Sequence, residues 1–342
     1  MINFYGVSFS ELENYLINLK ENPAKAKIIF TAVYRNKISD FNEITDIKSS
    51  LIKKLSEDFS LSLPQMINHL SDREAEKMLF SMEDGKIIEA VIMKQKYGNS
   101  VCISSQIGCN MNCAFCRSGK NKKERNLKPH EMVGQIMFME RKLQLKISTI
   151  TIMGIGEPFD NYENVMKFID IINCPYALYL GQRHIALSTC GIVPKIYEFS
   201  KRENLNSLAI SLHAPNDEIR SRLMPINNTY PLSMLIPAVK DFSNSTNKRV
   251  FMEYIMLSHI NDSVENAKEL AELLRDINCT VNLIPYNDTA IEGFSRSDMD
   301  RMMAFYDILK KNHIRVTMRR EFGTEIKAAC GQLKSDFIKN SK

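Results

Sequence analysis

The chain has 342 residues, long for one compact domain and suited to one large domain with a smaller appendage. Its 44% apolar and 25% charged fractions are those of an ordinary globular protein. The net charge of +5 is uneven: residues 1–75 hold nine Lys+Arg and ten Asp+Glu, so the remainder carries about +6, which leans toward a polyanionic partner. No apolar run reaches the ~20 residues of a spanning helix, and MINFYGVSFSELENYL lacks the basic patch and apolar core of a secretory leader, so a cytoplasmic chain with no membrane partner is expected. In that compartment eight cysteines are ligands, catalysts or buried fillers rather than a disulfide scaffold.

In chain order, the first 75 residues read as a small helical domain. Phe9, Leu12, Leu16 and Leu19 keep a helical period behind Ser8. Ile28, Ile29, Val33 and Tyr34 begin a second helix after Pro23, and Ile44, Ile47, Leu51 and Leu55 mark a third. Residues 76–100 read as a hairpin extension, MLFSM and IIEAVIM around an Asp84-Gly85 turn. From 101 to 342 the rhythm alternates. VCISS, STITIM, HIALS, LAISL, VFMEYIM, TVNLI and RVTMR are β-rich runs, with amphipathic helical patterns such as Val165–Ile172 and Ala267–Leu274 between several of them. Strand, helix, strand means an α/β fold with a parallel sheet, and this many units predict a complete or partial (β/α) barrel.

The first run leads directly into CNMNCAFC, with Cys109, Cys113 and Cys116 spaced C-x3-C-x2-C. A structural zinc site wants four closed ligands, usually as two C-x2-C pairs. A ferredoxin cluster wants a fourth cysteine nearby. A thioredoxin-like pair at Cys113 and Cys116 leaves Cys109 unexplained. The remaining reading is a 4Fe–4S cluster with one iron open to a substrate. In a barrel the site lies at the C-terminal strand edges. There the sequence places these cysteines, Gly154-Ile155-Gly156-Glu157-Pro158, Ser188-Thr189-Cys190-Gly191, Ser211-Leu212-His213 and Pro285-Tyr286-Asn287, and the last run leads to Cys330. The G-x-G turn lacks a following GxxG or Walker lysine, so a dinucleotide or P-loop site is weak; a glycine turn lets backbone approach a ligand, and Glu157 can accept from an ammonium group.

The cysteine spacing is the signature of radical S-adenosylmethionine enzymes. CISSQIGCNMNCAFC, MGIGEP, LSTCGIVP, AISLHAPNDEIR, LMPINNTYP, NLIPYN and AACGQL, in order from about residue 86 to 335, together resemble the RlmN/Cfr family of RNA adenosine methyltransferases. The resemblance implies a partial, TIM-like (β/α) barrel of the radical SAM type with a small N-terminal helical domain. It implies one 4Fe–4S cluster on Cys109, Cys113 and Cys116, and two S-adenosylmethionine molecules consumed per methyl transferred. Gly156, Glu157, Ser188, Ser211, Leu212, His213 and Asn287 match the family's S-adenosylmethionine contacts. By the same resemblance Cys330 is methylated as a thiolate nucleophile. A 5′-deoxyadenosyl radical strips hydrogen from that methyl group, and the carbon radical adds to the electron-poor ring. Glu89 matches the proton acceptor, and Cys102 resolves the adduct by forming a disulfide with Cys330.

The implied target is an adenine carbon of 23S ribosomal RNA, with tRNA as a second substrate of some members. The implied partners are that RNA and an electron donor such as flavodoxin or ferredoxin, around a monomer. Pro158 and NLIPYN lean toward C2 methylation, while the short N-terminus and Phe322-Gly323 lean toward the C8 branch; C2 is favoured. Competing classes are a radical enzyme on a non-RNA substrate and an iron–sulfur electron-transfer protein. Lys120, Lys122, Lys123, Arg125 and Lys128 form a basic run that suits phosphates, with Arg319 and Arg320 as further candidates. Cys174, Cys190 and Cys279 match no role and are expected to be structural, and His69, His130, His184, His259 and His313 show no ligand spacing.

Overall fold

The computed structural model describes residues 1–289 and 291–320, with Phe322, Gly323, Ile326 and Gln332. Cys330, the expected methyl carrier, lies outside the described residues.

The N-terminal helices form where their caps and apolar spacing direct. Helix α1 (Phe9–Asn18) starts at Ser8, whose hydroxyl accepts from the Glu11 amide while Glu11 reaches back to the Ser8 amide, and it buries Leu12 and Leu16. Helix α2 (Lys25–Phe30) runs on into a π turn, Thr31–Arg35. Helix α3 (Ser49–Asp58) buries Leu51 and Leu55. It starts later than the apolar spacing suggests. Asp40 caps a separate 3-10 turn at Phe41–Glu43, so Ile44 and Ile47 precede the helix. Phe4, Phe30, Tyr34, Phe41 and Phe59 pack as an aromatic centre, with Phe4 edge-on to Phe41 and Phe59.

One ten-stranded sheet carries the rest. In chain order its strands are β1 (Gln65–Ser71), β2 (Ala75–Ser81), β3 (Ile87–Gln95), β4 (Gly98–Cys102), β5 (Ile147–Ile152), β6 (Ile185–Thr189), β7 (Ser207–Ser211), β8 (Val250–Met256), β9 (Cys279–Pro285) and β10 (Arg315–Met318). Each pairs with its neighbour in sequence. β4 through β10 are parallel, while β1, β2 and β3 add antiparallel to the β4 edge. β1 lies inside the span expected to be helical. It is an edge strand, mostly exposed, so it lacks the apolar alternation that marks a half-buried strand. Among the described residues β10 and β1 do not pair, so the barrel is partial.

Helices α4 (Pro129–Lys142), α5 (Tyr162–Asn173), α6 (Val193–Ser200), α7 (Asp217–Leu223), α8 (Leu232–Thr246), α9 (Val264–Leu274) and α10 (Met299–Lys311) connect the parallel strands. The period-two alternation of the strands separates two faces. Val101, Ile150, Leu187, Ile210, Met252 and Val281 pack in the main core. The residues next to them, Cys102, Thr151, Ser188, Ser211, Glu253 and Asn282, take the opposite, concave face. Polar side chains on one face of otherwise apolar strands are what position the site.

Candidate active site

The cysteine loop leaves the C-terminal end of β4. Its base is closed by a short antiparallel pair, Gln106–Ile107 against Arg125–Asn126. Gly108 takes φ +72°, and a Cβ there would fall 2.1 Å from the Lys122 carbonyl oxygen, so no other residue fits. The Cys109 amide donates to the Asn121 carbonyl (2.9 Å), the Cys116 amide to Cys113 (3.1 Å), and the Ala114 amide to Leu223 (2.8 Å). Cys109 is buried; Cys113 and Cys116 are half-buried. Phe115, Leu223, Met224, Ile255, Leu257 and Tyr286 wrap the loop in an apolar shell. Burial pushes the Cys109 thiol up to about 12 and Cys113 well above its ordinary value. Among the described residues no three His, Cys, Asp or Glu side chains converge on one metal ion. A cluster fits this donor set: the three thiolates would hold it, and the iron charge would displace their protons.

The basic run after the loop is largely used within the fold. Lys123 pairs with Asp160 (2.6 Å). Arg125 grips Asp84 and holds Glu131 with two parallel bonds of 2.8 Å. These contacts correct the expectation that the whole run meets phosphate; Lys120, Lys122 and Lys128 remain exposed. Arg320 pairs with Glu74, and Arg319 lies 3.6 Å from Glu253.

The turn after β5 docks onto the residues leading to the cysteines. The Ser105 and Gln106 amides both donate to the Ile155 carbonyl (2.9 and 3.1 Å), and the Glu157 amide donates to the Gln106 side chain (2.8 Å). A Cβ at Gly154 would meet the Ile103 carbonyl oxygen at 2.6 Å; one at Gly156, where φ is +112°, would meet Gln106 at 2.6 Å. The two glycines are thus required first by contact with protein. Glu157 is buried, and its two carboxylate oxygens accept from the Phe159 (2.9 Å) and Cys190 (2.8 Å) amides. Burial raises its pKa against those bonds. An incoming ammonium would offset that penalty.

The other strand ends meet the same space. A cavity of about 150 Å³ is lined by Phe115, Cys116, Gly156, Glu157, Ser188, Ser211 and His213, together with Glu253 and Arg319. His213 takes φ +59° and its ring Nδ1 accepts from the Ile255 amide (3.1 Å). Burial, then the Arg220 charge, lowers its pKa to about 3, so the ring is neutral and the bond assigns the proton to Nε2. Leu212 is in the core; its amide donates to the Glu253 carbonyl and its own carbonyl accepts from Arg220. Asn287 follows β9, with a buried Oδ1 that has no hydrogen-bond partner among the described residues. Cys190 lies in the apolar shell and offers its amide to Glu157.

Three residues here were not singled out from the sequence in these roles. Arg220 is fully buried and donates to the Cys190 carbonyl (2.7 Å), Asn227 Oδ1 (2.7 Å) and the Leu212 carbonyl (3.2 Å). Glu253 is a buried carboxyl whose pKa burial raises; Asn282 donates to it at 3.2 Å. Its signal was a lone carboxylate inside VFMEYIM. Gln106 joins the glycine turn to Asn126 and Asp160.

Cys102 ends β4 opposite Val91 of β3, beside an apolar group of Ala75, Val91 and Ile155 against which Phe322 and Ile326 pack. Glu89 on β3 is buried at 1% exposure, and its carbonyl accepts from the Ser104 hydroxyl, which in turn accepts from the Ile155 amide. The residues placed on either side of Cys330 are Ile326, beside Cys102, and Gln332, which donates to the Asp288 carbonyl (2.8 Å).

A partial parallel barrel with a three-cysteine loop at its mouth defines a radical SAM enzyme, and residues 103–306 match the radical SAM superfamily. Residues 2–61 match the ribosomal RNA large subunit methyltransferase N-terminal domain. Two proteins named "Probable dual-specificity RNA methyltransferase RlmN" are each 44% identical: one from Thermoanaerobacter sp. strain X514, covering 99% of both chains, and one from Acholeplasma laidlawii, covering 97% of this chain and 98% of its own. A crystal structure of a radical SAM methyltransferase from Sphaerobacter thermophilus superposes with a TM-score of 0.92 at 36% identity, covering 98% of this chain and 99% of that one. The chain belongs to the RlmN family of the radical SAM superfamily.

Proposed function

We propose that this chain is a radical SAM methyltransferase that adds a methyl group to C2 of an adenine in 23S ribosomal RNA, and to tRNA. The observation that carries the reading is the convergence of four elements on one concave face: the cysteine loop, the cavity with Glu157, the thiol of Cys102 and the buried carboxyl of Glu89. When bound, the cluster and S-adenosylmethionine supply the methyl group and a carbon-centred radical.

The chain's own residues do the rest. Cys109, Cys113 and Cys116 hold the cluster in an apolar shell that keeps water away. Glu157 receives the ammonium of S-adenosylmethionine. Ser188, Ser211, the backbone at Gly156 and Leu212, His213 Nε2 and the orphaned Asn287 oxygen hold the remaining polar groups. Cys330 carries the methyl group on sulfur and bonds through it to the base. Glu89 takes the ring proton. Cys102 then attacks the Cys330 sulfur: the S–S bond forms as the C–S bond breaks, the freed carbon takes a proton to become the methyl group, and the one surplus electron would pass back to the cluster. The target base must leave its stack to reach this face, and the exposed Lys120, Lys122 and Lys128 are positioned to meet the surrounding phosphates. The enzyme works as a monomer and draws electrons from a flavodoxin or ferredoxin.

The test is anaerobic. The cluster is reconstituted, methyl-labelled S-adenosylmethionine and protein-free ribosomal RNA are supplied, and the label is mapped on the base. Label at adenine C2 is expected; label at C8 overturns the regiochemistry, and unlabelled adenine with a competent cluster overturns the RNA reading. Adding S-adenosylmethionine must also change the cluster's spectrum, which a coordinatively closed electron-transfer centre would not do.

A further inference from the structure

Lys77 has no part in the chemistry above, yet it is buried at 8% exposure on β2. Strand alternation fixes its face. Met78 and Phe80 join the main core, while Ala75 joins the group beside Cys102, so Lys77 lies on the concave side. Glu89 shares that side: Ile88 and Ala90 join the main core, and Val91 joins the Cys102 group. Glu89 is paired in register with Leu79, one step along the same face from Lys77. The ammonium lies 4.0 Å from Glu89 Oε2, with side-chain exposures of 10% and 2%. Other charges on these strands are directed elsewhere. Glu76 joins His69 and Lys94 on the opposite face, and Glu74 pairs with Arg320. Among the described residues, the titratable neighbour from β4 is Cys102.

A carboxyl buried to this degree is driven toward its neutral form, and an ammonium at contact range opposes that drive. A neutral carboxyl cannot accept a proton. We propose that Lys77 is a positioning residue for methyl transfer: its charge keeps buried Glu89 ionised until the base arrives. The proton then moves from the ring carbon to a Glu89 oxygen. The C–H bond breaks, the O–H bond forms, and the electron pair stays on the carbon. The inference rests on Glu89 being the proton acceptor.

The test uses full-length, cluster-loaded protein with Lys77→Met, Lys77→Gln and Lys77→Arg. Infrared difference spectra follow the Glu89 carboxyl, its band identified by its loss in Glu89→Gln; the Cys102 thiol absorbs elsewhere. In the wild type, Glu89 is expected to be ionised at neutral pH. Both neutral variants should move its midpoint up by about one pH unit or more, and Lys77→Arg should restore it. The rising limb of the single-turnover pH–rate profile should move up with the midpoint, with rates converging on wild type at high pH. An unmoved midpoint, or a rate lowered equally at every pH, overturns the proposal and makes Lys77 a packing residue. A wild-type Glu89 that is protonated at neutral pH overturns it even if the neutral variants fail to fold. A wild type that methylates no RNA overturns the functional reading instead, while the titration remains readable.

Discussion

Arg220→Met is a demanding probe of the site's construction. The guanidinium is fully buried and spans the ends of β6 and β7, holding the Cys190 carbonyl at 2.7 Å, the Leu212 carbonyl at 3.2 Å and Asn227 Oδ1 at 2.7 Å. Hydrogen bonds from a charged donor contribute about 1.5–3 kcal/mol each, and part of that is offset by desolvating the charge. Methionine fills similar volume but orphans the two short-range acceptors, so a loss of about 4 kcal/mol is expected. With an unfolding entropy of about 2.1 cal/mol/K per residue, that lowers the melting temperature by roughly 5 °C. The same carbonyls fix the backbone that presents Ser188, Ser211 and His213. S-adenosylmethionine binding should therefore weaken by at least about tenfold, roughly 1.4 kcal/mol, while the iron content stays unchanged. The assays are thermal unfolding and titration of the cluster's spectrum. An unshifted melting temperature would refute the account of the buried fork, and a lower one with unchanged affinity would refute its role in shaping the site.

Gly156→Ala places a Cβ at positive φ and 2.6 Å from Gln106, so it should cost about 1–3 kcal/mol and displace Glu157, seen as a lost spectral response to S-adenosylmethionine. Glu157→Gln keeps the shape but removes the charge, and should lower S-adenosylmethionine affinity at least about tenfold with the cluster spectrum intact. For Asp262, burial opposes ionisation, but the two bonds from Arg301 outweigh it and hold the carboxyl below its usual range. Its contribution to stability is therefore complete above the ordinary carboxylate value and is lost as pH falls through the lower folded value. Denaturant unfolding across that acid range should show this limb in the wild type and lack it in Asp262→Asn.

The parallel strands were legible because each pairs a short β-rich run with a helical pattern, and the register of β8 with β9 keeps seven residue pairs in step. The cluster loop was legible because ligand spacing is local in sequence. β1 was not, since an edge strand that faces water carries no alternation. The fate of Lys123 and Arg125 was also hidden: their partners Asp160, Asp84 and Glu131 come from three other segments, and charge counting cannot see them. Arg220 was hidden for the same reason, and Glu253 showed only as a lone carboxylate in an apolar run, with no partner in view. Each is a charged residue whose meaning depends on burial, and burial is a property of the fold.

The antiparallel addition of β1, β2 and β3 to the parallel sheet divides the labour of the molecule. Strands β4 through β10 hold the metal loop and the cavity, whereas Lys77 and Glu89 arrive on two strands that the parallel architecture does not need. On the proposed roles, the cluster ligands and the proton acceptor would sit on different, directly paired parts of one sheet. A change confined to the hairpin would therefore reach Lys77 and Glu89 without altering the cysteine loop or the residues that line the Glu157 cavity.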